Sequence, residues 1–385
     1  MIFELQPANL GELLEAYRKP QPASLRDAAD SVPEARLDQT LSCQGTRLAQ
    51  VYGSSWERLA AYADRGEVTL FSEDYRSRQS LDGAELLSRF NDFRSNGRPR
   101  VPEQLALRVS SVEDAVLMAD RQRIYREQRH PDVLNYLLED PLRVNIFDRT
   151  ATRMDTEKYP SVWSPSIDTD LFRLAAKVII ESEQLDHIRN AAEIGCANAA
   201  IARYLVDSVS TSHLLLADLN PIAITCARET MSGSYLSMTT QVGEGMAALD
   251  EHSRREPFDF VACNPPYLPR PARAEPGACF PFENSAHFEG TQLFEKLIRN
   301  AHQFLAPGGR LLLNVSSLAF DALAAADAVA LDSGLERRLL FTKRVPVKVY
   351  EFLTDAQWQS HLRDSLVEKD GYLWQQLLLL EYHKP

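Results

Sequence analysis

The segment Asn-Pro-Pro-Tyr at 264–267 carries the residues best suited to chemistry, and it follows directly after the apolar run 258–263. Its two prolines lack the N–H that a central strand donates, so the chain must leave a sheet at this point. The Asn264 side chain and the Pro265 carbonyl can both accept hydrogen bonds from an amino group, and Tyr267 offers a flat face for stacking. The segment is therefore suited to holding a planar group that bears an amino nitrogen.

A second candidate is a turn of small residues after an earlier apolar strand. The run 191–195 predicts that strand, and Cys-Ala-Asn-Ala at 196–199 leads into a helix predicted from about Ala199 to Val206. Small side chains let the main chain approach a ligand closely, and the N-terminus of the helix then faces that ligand. The turn alone is equally typical of a purely structural connection.

Asp218 is the third candidate, because it stands near the end of the next predicted strand, His213–Leu219. It lies 25 residues beyond Glu193, and an acidic side chain about 20 residues after a glycine-rich turn typically binds ribose hydroxyls. Capping of the helix that starts at residue 220 is the structural alternative. Both roles for Asp218 are open at this point.

Alternating strands and helices after residue 160 position these candidates. The predicted strands are Ala191–Gly195, His213–Leu219, Phe258–Asn264, Arg310–Val315, Arg338–Phe341 and Leu373–Glu381. An amphipathic helix, predicted over Leu293–Leu305, is followed by Pro-Gly-Gly at 307–309. This alternation predicts an α/β fold with a doubly wound parallel sheet, in which ligands bind beyond the carboxyl ends of the strands.

The region before residue 158 has a different pattern, which predicts a mostly helical N-terminal domain. Apolar residues recur at helical spacing between Leu10 and Tyr17 and again between Trp56 and Tyr62, with one short strand predicted at Glu67–Ser72. The serine- and proline-rich segment 158–166 is typical of a linker. The chain is therefore predicted to contain two domains, a mostly helical one at 1–157 and an α/β one at 158–385 that carries the three candidates.

Composition narrows the classes of partner. The formal net charge of −12 disfavours a large contact with nucleic acid. Five scattered cysteines without a Cys-x-x-Cys pair argue against a disulfide framework and a zinc site. No apolar stretch approaches the length of a membrane span, and the first residues lack the pattern of a signal peptide. A cytoplasmic location and no metal are therefore expected, while the oligomeric state is not predicted.

Taken together, the motifs resemble a known family over about residues 160–320. Glu-x-Gly-x-Ala-x-Ala at 193–199, Asp218 and Asn-Pro-Pro-Tyr are similar to the class I S-adenosylmethionine-dependent methyltransferases that modify planar nitrogen. These include the release-factor glutamine methyltransferases and the adenine N6 methyltransferases, and the former carry a proline-rich element where this chain has 164–170. The resemblance implies a Rossmann-like seven-stranded domain and S-adenosyl-L-methionine as cofactor.

The resemblance also implies roles for individual residues. Glu193 and Gly195 would lie near the methionine end of the cofactor, Asp218 would bind its ribose, and Glu244 its adenine. The full implied cofactor set is Glu193, Gly195, Ala197, Asp218, Leu219, Glu244 and Asn264. The implied catalytic set is Asn264, Pro265 and Tyr267. Pro266 lies within this segment, and Glu283 and His287 follow it in the sequence, so these three are expected as further substrate contacts. In this arrangement Asn264 and Pro265 orient the nitrogen that accepts the methyl group.

Two departures limit what the resemblance carries over. Ala197 and Ala199 replace glycines of the family, and alanine is tolerable at these positions where φ is negative. The N-terminal region is about twice the size found in the glutamine methyltransferases. The expected acceptor is thus a planar amide or amino nitrogen of a small metabolite or a protein side chain. Alternatives are an RNA base methyltransferase that uses the arginine-rich segments 89–100 and 121–129, an enzyme that cyclises part of the cofactor, and a non-catalytic binding module.

Overall fold

The computed structural model of the protein describes residues 2–44, 67–71, 78–81, 104–109, 142–155, 158–163, 165, 167–271, 290–346, 360–362, 365–369 and 372–385. Secondary-structure elements are numbered along these residues. No helix in this part of the chain is long and apolar enough to cross a membrane.

The described strands before residue 157 form one sheet. They are β1 (Ile2–Pro7), β2 (Leu37–Gln44), β3 (Glu67–Phe71), β4 (Arg78–Leu81), β5 (Gln104–Val109), β6 (Leu142–Phe147) and β7 (Thr150–Asp155), in the order β4-β3-β5-β2-β1-β6-β7. Strand β1 runs parallel to β6 and antiparallel to β2. Two helices, α1 (Leu10–Tyr17) and α2 (Leu25–Ser31), lie between β1 and β2.

The expectation of a mostly helical region before residue 158 therefore does not hold for its described residues, which are mainly strands. The predicted helix at Leu10–Tyr17 and the strand near Glu67–Ser72 are confirmed, and the segment Trp56–Tyr62 lies outside the described residues. Burial along β7 has a period of two, which a search for apolar residues at helical spacing does not detect. In β7 the residues at 150, 152 and 154 are buried and those at 151 and 153 are exposed, as in a strand with one covered face.

The second sheet forms the core of the molecule. Its strands are β8 (His187–Ile194), β9 (Ser210–Asp218), β10 (Ser237–Val242), β11 (Phe258–Cys263), β12 (Leu305–Ser316), β13 (Glu336–Pro346), β14 (Val367–Lys369) and β15 (Tyr372–His383). The order is β10-β9-β8-β11-β12-β15-β13, with β14 paired to β15. Strand β15 runs antiparallel to both neighbours, whereas the first five strands are parallel. The predicted Rossmann-like seven-stranded α/β sheet is confirmed.

Helices cover both faces of this sheet. They are α3 (Ile167–Glu183), α4 (Ala200–Ser208), α5 (Pro221–Thr230), α6 (Gly245–Ser253), α7 (Gln292–Phe304) and α8 (Phe320–Asp332). In β11, Phe260 and Ala262 pack with α3 and α4, while Val261 and Cys263 pack with α7 and α8. This two-sided burial explains why the strand is apolar at consecutive positions. Helix α7 ends at Phe304, so the predicted stop at 307–309 lies inside β12 instead of preceding it.

The first residues of the chain pack onto this second sheet. The Ala35 N–H donates to the Thr342 carbonyl of β13 at 2.8 Å. The Tyr17 hydroxyl of α1 lies 3.0 Å from a carboxylate oxygen of Glu381 in β15, and the Arg338 guanidinium lies 4.2 Å from the centre of the Tyr17 ring. Helix α1 thus contributes to the same core as the sheet that carries the candidate site.

Candidate functional site

A cleft of about 830 Å³ lies at the carboxyl ends of the parallel strands β8 to β11. Strands β8 and β11 are neighbours although two strands separate them in sequence, so the strand order reverses here, where ligands bind in such sheets. The cleft is lined by every described residue of the predicted sites: Glu193, Gly195, Ala197, Asp218, Leu219, Glu244, Asn264, Pro265, Pro266 and Tyr267. Glu283 and His287 lie outside the described residues.

The turn between β8 and α4 is held by main-chain bonds. The N–H groups of Gly195 and Cys196 both donate to the Ala217 carbonyl of β9, at 2.8 and 3.2 Å. Gly195, Ala197 and Ala199 have φ values of 65°, 44° and 55°, and Ala199 closes a tight turn by donating to the Cys196 carbonyl at 2.5 Å. The two alanines therefore do not adopt the negative φ under which they would be tolerated without strain. A left-handed alanine costs about 1–2 kcal/mol relative to a right-handed one. The turn has this conformation nevertheless, because the bends that bring α4 under the strand require it.

Asp218 ties this turn to the next one. Its Oδ2 accepts from the Ala197 N–H at 2.9 Å, and its Oδ1 accepts from the Asn220 N–H at 2.8 Å. The cap of α5 is Asn220, whose Oδ1 accepts from the Ile222 N–H at 2.9 Å. Capping, the structural alternative for Asp218, is therefore performed by its neighbour. Asp218 instead holds a carboxylate at the floor of the cleft.

Glu193 is a buried carboxylate one residue before the end of β8. It is 3% exposed, and its Oε2 accepts from the Ala202 N–H at the start of α4 at 2.7 Å. Burial, together with the negative charge of Asp218, raises the pKa of Glu193 to about 8 against the opposing effects of this hydrogen bond and of Arg173. A cation that entered the cleft near Glu193 would favour its ionised form.

The turn after β10 completes the side of the cleft next to Asp218. Glu244 directly precedes α6, and its side chain does not cap that helix. A Cβ at Gly245 would lie 2.0 Å from Cγ2 of Ile194, so only glycine lets α6 begin this close to the end of β8. Leu219 and Ile222, which are 47% and 43% exposed, give this rim an apolar surface suited to a flat ring. Sequence reasoning missed Gly245 and Ile222, since their roles depend on which strands are adjacent.

The Asn-Pro-Pro-Tyr turn forms the other side. Asn264 follows β11, and its Oδ1 accepts from Nδ2 of Asn314 at 3.1 Å. Asn314 lies in the neighbouring strand β12 and is fully buried. Pro265 is buried as well, while Pro266 is partly exposed. The Asn264 amide thus keeps a fixed orientation at the edge of the sheet.

Tyr267 is fixed by its hydroxyl group. The Oη donates to Oδ2 of Asp168 in the first turn of α3 at 3.2 Å. Burial, and then the charge and the hydrogen bond of Asp168, raise the pKa of Tyr267 well above its ordinary value, so the phenol stays protonated at neutral pH. The site predictions did not include Asp168, because the two residues are 99 positions apart in the sequence. The sequence points to Asp168 only through its position within the segment 164–170, which corresponds to the proline-rich element of the glutamine methyltransferases.

Further side chains complete the lining. Trp163, Arg270 and Lys296 contribute an aromatic ring and two cations. Gln375 reaches the cleft from β15 and is 5% exposed. The arginine-rich segments 89–100 and 121–129 lie outside the described residues. Within the described ranges, no group of three or more acidic, histidine or cysteine side chains is placed to hold a metal ion.

Comparison with known proteins places the cleft within a family domain. Residues 168–274 match the family model of the methyltransferase small domain. This range runs from the first turn of α3 past the Asn-Pro-Pro-Tyr turn, so it includes β8 to β11 and most of the cleft. The resemblance inferred from the sequence motifs is confirmed.

Curated relatives carry methyltransferase names. A release factor glutamine methyltransferase of Deinococcus radiodurans is 29% identical over 137 residues, covering 34% of this chain and 48% of that protein. A tRNA1(Val) (adenine(37)-N6)-methyltransferase of Porphyromonas gingivalis is 28% identical over 124 residues, covering 31% of this chain and 47% of that protein. The chain thus spans about half the length of these curated relatives.

Solved structures include a precorrin-6y C5,15-methyltransferase from Geobacter metallireducens. It is 13% identical in sequence, with a TM-score of 0.34, and the match covers 55% of this chain and 87% of that one.

Proposed function

We propose, from the methyltransferase small domain that residues 168–274 form, that this protein is an S-adenosylmethionine-dependent N-methyltransferase. Its acceptor is a planar amide or amino nitrogen of a small metabolite or a protein side chain. The observation that carries the proposal is the meeting of Asn264 and Tyr267 with Asp218 and the turn at 195–199 around one cleft. A cofactor-binding turn and an amino-binding turn on opposite sides of one cleft suit group transfer between two bound molecules.

The residues of the cleft fit this cofactor. The carboxylates of Asp218 and Glu244 suit hydroxyl and amino groups of a nucleoside, and Leu219 and Ile222 provide an apolar rim. The buried carboxyl of Glu193 suits the positive charge at the methionine end. When bound, S-adenosylmethionine would supply a methyl group carried on a positively charged sulfonium. After transfer of the methyl group, the remainder of the molecule is the uncharged thioether S-adenosylhomocysteine.

The chain's own contribution is alignment and desolvation. Asn264 Oδ1 and the Pro265 carbonyl accept hydrogen bonds from the acceptor nitrogen, and Tyr267 packs against its plane. The two accepted bonds favour a pyramidal nitrogen whose lone pair is aimed at the methyl carbon, and they stabilise the positive charge that develops. The N–C bond forms as the S–C bond breaks, and the nitrogen then loses a proton to solvent. Alignment of this kind contributes about 7–11 kcal/mol.

The charge of the chain guides the choice of acceptor. A net charge of −12 repels a phosphate backbone, which favours a protein side chain or a metabolite over nucleic acid. The second candidate is an RNA base, which Arg270 and Lys296 at the cleft and a relative named for tRNA adenine support. RNA methylation would show a rate that falls steeply as salt is added.

The first test is calorimetric titration with S-adenosylmethionine and S-adenosylhomocysteine. Micromolar binding of both supports the cofactor assignment, and no binding of either would overturn it. Transfer of tritium from labelled S-adenosylmethionine is then measured separately into the protein, RNA and small-molecule fractions of a cell extract. S-adenosylhomocysteine as product supports methyl transfer, methylthioadenosine would identify a cyclase, and binding without turnover would identify a binding module.

A further inference from the structure

We propose that Asp168 is a positioning residue, which holds the Tyr267 ring at the angle at which its face packs against the acceptor. This inference rests on the proposed methyl transfer and adds to it a residue outside the Asn-Pro-Pro-Tyr turn. It assigns a role to the first turn of α3, in which Asp168 lines the cleft and contacts the Tyr267 hydroxyl.

The contact between the two residues is buried at the carboxylate. Asp168 is 3% exposed, and its Oδ2 accepts from the Tyr267 Oη at 3.2 Å. A hydrogen bond to a charged acceptor with little access to water is stronger than one on the surface. Replacing Asp168 by alanine would leave the Tyr267 hydroxyl without this acceptor.

Gln375 of β15 lines the same part of the cleft as Tyr267. Its Oε1 accepts from the Ser316 hydroxyl at 2.5 Å, and Ser316 in turn accepts from the Leu318 N–H at 3.1 Å. The Tyr267 hydroxyl donates to Asp168, and this bond fixes the position of the hydroxyl and with it the plane of the ring. Tyr267 is thereby left to act through its ring face and not as a proton acceptor.

The turn that carries Asp168 is itself rigid. Two residues further along α3, Asp170 pairs with Arg173 at 3.2 Å, and both side chains are 1% exposed or less. Arg173 also donates to Thr152 of β7 at 2.8 Å, and Asn145 of β6 donates to Asp170 at 3.0 Å. The first turn of α3 is thus anchored to the N-terminal sheet, so it provides a firm base from which Asp168 can hold Tyr267.

The protein contains a matched pair that serves as a control. The Tyr382 hydroxyl donates to Oδ1 of Asp327 at 3.0 Å, and both residues are buried. Neither residue lines the cleft. Tyr382→Phe therefore removes the same kind of bond as Tyr267→Phe without touching the acceptor.

The test is a double-mutant cycle on the initial rate of methyl transfer at saturating cofactor, with the full chain and the extract fraction that the unchanged protein labels. Asp168→Ala is expected to lower the rate roughly tenfold to a hundredfold, as displacement of a reacting group does. Affinity for S-adenosylhomocysteine, measured by calorimetry, is expected to stay within about threefold. In the Tyr267→Phe background, Asp168→Ala is expected to change the rate by less than about threefold, because its effect passes through the hydroxyl.

Asp168→Asn, which keeps an accepting oxygen and the volume, is expected to restore most of the rate, and Tyr382→Phe to leave it unchanged. The proposal is overturned if Asp168→Ala transfers methyl groups as fast as the unchanged protein. It is also overturned if Asp168→Ala lowers the rate by the same factor with and without the Tyr267 hydroxyl. Failure of the proposed function has a different signature, since the unchanged protein would then neither bind S-adenosylhomocysteine nor label any fraction.

Discussion

The two sides of the cleft are held together by different kinds of bond. On the side of Asp218, main-chain N–H groups of residues 195–197 donate to the Ala217 carbonyl and to the Asp218 carboxylate. On the side of Tyr267, the bonds join side chains, Asn264 to Asn314 and Tyr267 to Asp168. Main-chain bonds form whatever the side chain is, so the first side tolerates Ala197 where the family has glycine. The second side depends on the identity of each residue.

This difference separates binding from turnover. Replacing a side chain on the Tyr267 side should slow methyl transfer while the cofactor site keeps its shape. Replacing Asp218 on the other side should weaken cofactor binding, because its carboxylate bridges two turns.

Asn264→Ala is expected to reduce methyl transfer by roughly a hundredfold to a thousandfold, as loss of one transition-state hydrogen-bond partner does. Affinity for S-adenosylhomocysteine is expected to stay within about threefold, since the main-chain bonds of the other side are intact. Rates are measured with labelled cofactor and affinity by calorimetry. Asn300→Ala on the exposed side of α7 serves as the control. Full activity of Asn264→Ala would contradict the catalytic assignment.

Asp218→Ala is expected to weaken cofactor binding by about 1.5–3 kcal/mol, since a charged acceptor of several hydrogen bonds is lost. The lost bonds include those to the Ala197 and Asn220 N–H groups, so the two turns also separate. Calorimetry with S-adenosylhomocysteine measures the loss, and Asp321→Ala in the first turn of α8 is the matched control. Unchanged affinity would contradict the assignment of Asp218 to cofactor binding.

The pH dependence of binding sharpens the comparison at Glu193. Its pKa is raised to about 8 by burial, so near neutral pH the folded protein without cofactor holds a proton there. A bound sulfonium favours the ionised form, so affinity for S-adenosylmethionine is expected to increase several-fold as pH rises from about 6.5 to 8.5. S-adenosylhomocysteine lacks the sulfonium and should show a weaker increase. Both are measured by calorimetry, and Glu193→Gln should remove the difference.

The same group affects folding with the opposite sign. The pKa of Glu193 is higher in the folded state than its ordinary value of 4.5, so folding takes up a proton between these two values. The contribution of Glu193 to stability is therefore complete below about pH 4.5 and is lost as pH rises through about 8. For binding, an affinity of the unchanged protein for S-adenosylmethionine that stays constant from about pH 6.5 to 8.5 would contradict the placement of Glu193 near the positive charge.

How much the sequence predicts differs between the two sheets. The strands β8, β9 and β11 are apolar at consecutive positions because helices cover both faces, so they stand out in the sequence. Strands β6 and β7 are only six residues long, and β7 buries two threonines on its covered face, so an apolar pattern does not distinguish it from a helix. Partners far apart in sequence, such as Asp168 and Tyr267, become visible only when α3 is placed against β11 and β15.

The left-handed alanines provide the smallest and most specific test. Ala197→Gly and Ala199→Gly are each expected to raise the free energy of unfolding by about 0.5–1 kcal/mol. Relief of a left-handed alanine gains about 1–2 kcal/mol, and the greater freedom of glycine in the unfolded chain offsets about 0.4–1 kcal/mol of it. Urea unfolding measures the change. Ala202→Gly within α4 is the control, and it should lower stability by about 1 kcal/mol because its conformation is already helical.

Cofactor affinity is the second measurement on these variants. Glycine keeps the N–H groups that hold the turn, including the bond from residue 197 to Asp218, so affinity for S-adenosylhomocysteine should change less than about threefold. A large loss of affinity would show that the alanine methyl groups contact the cofactor or restrict the turn to its binding conformation. The side of the cleft next to Asp218 would then depend on side-chain identity as strongly as the side next to Tyr267.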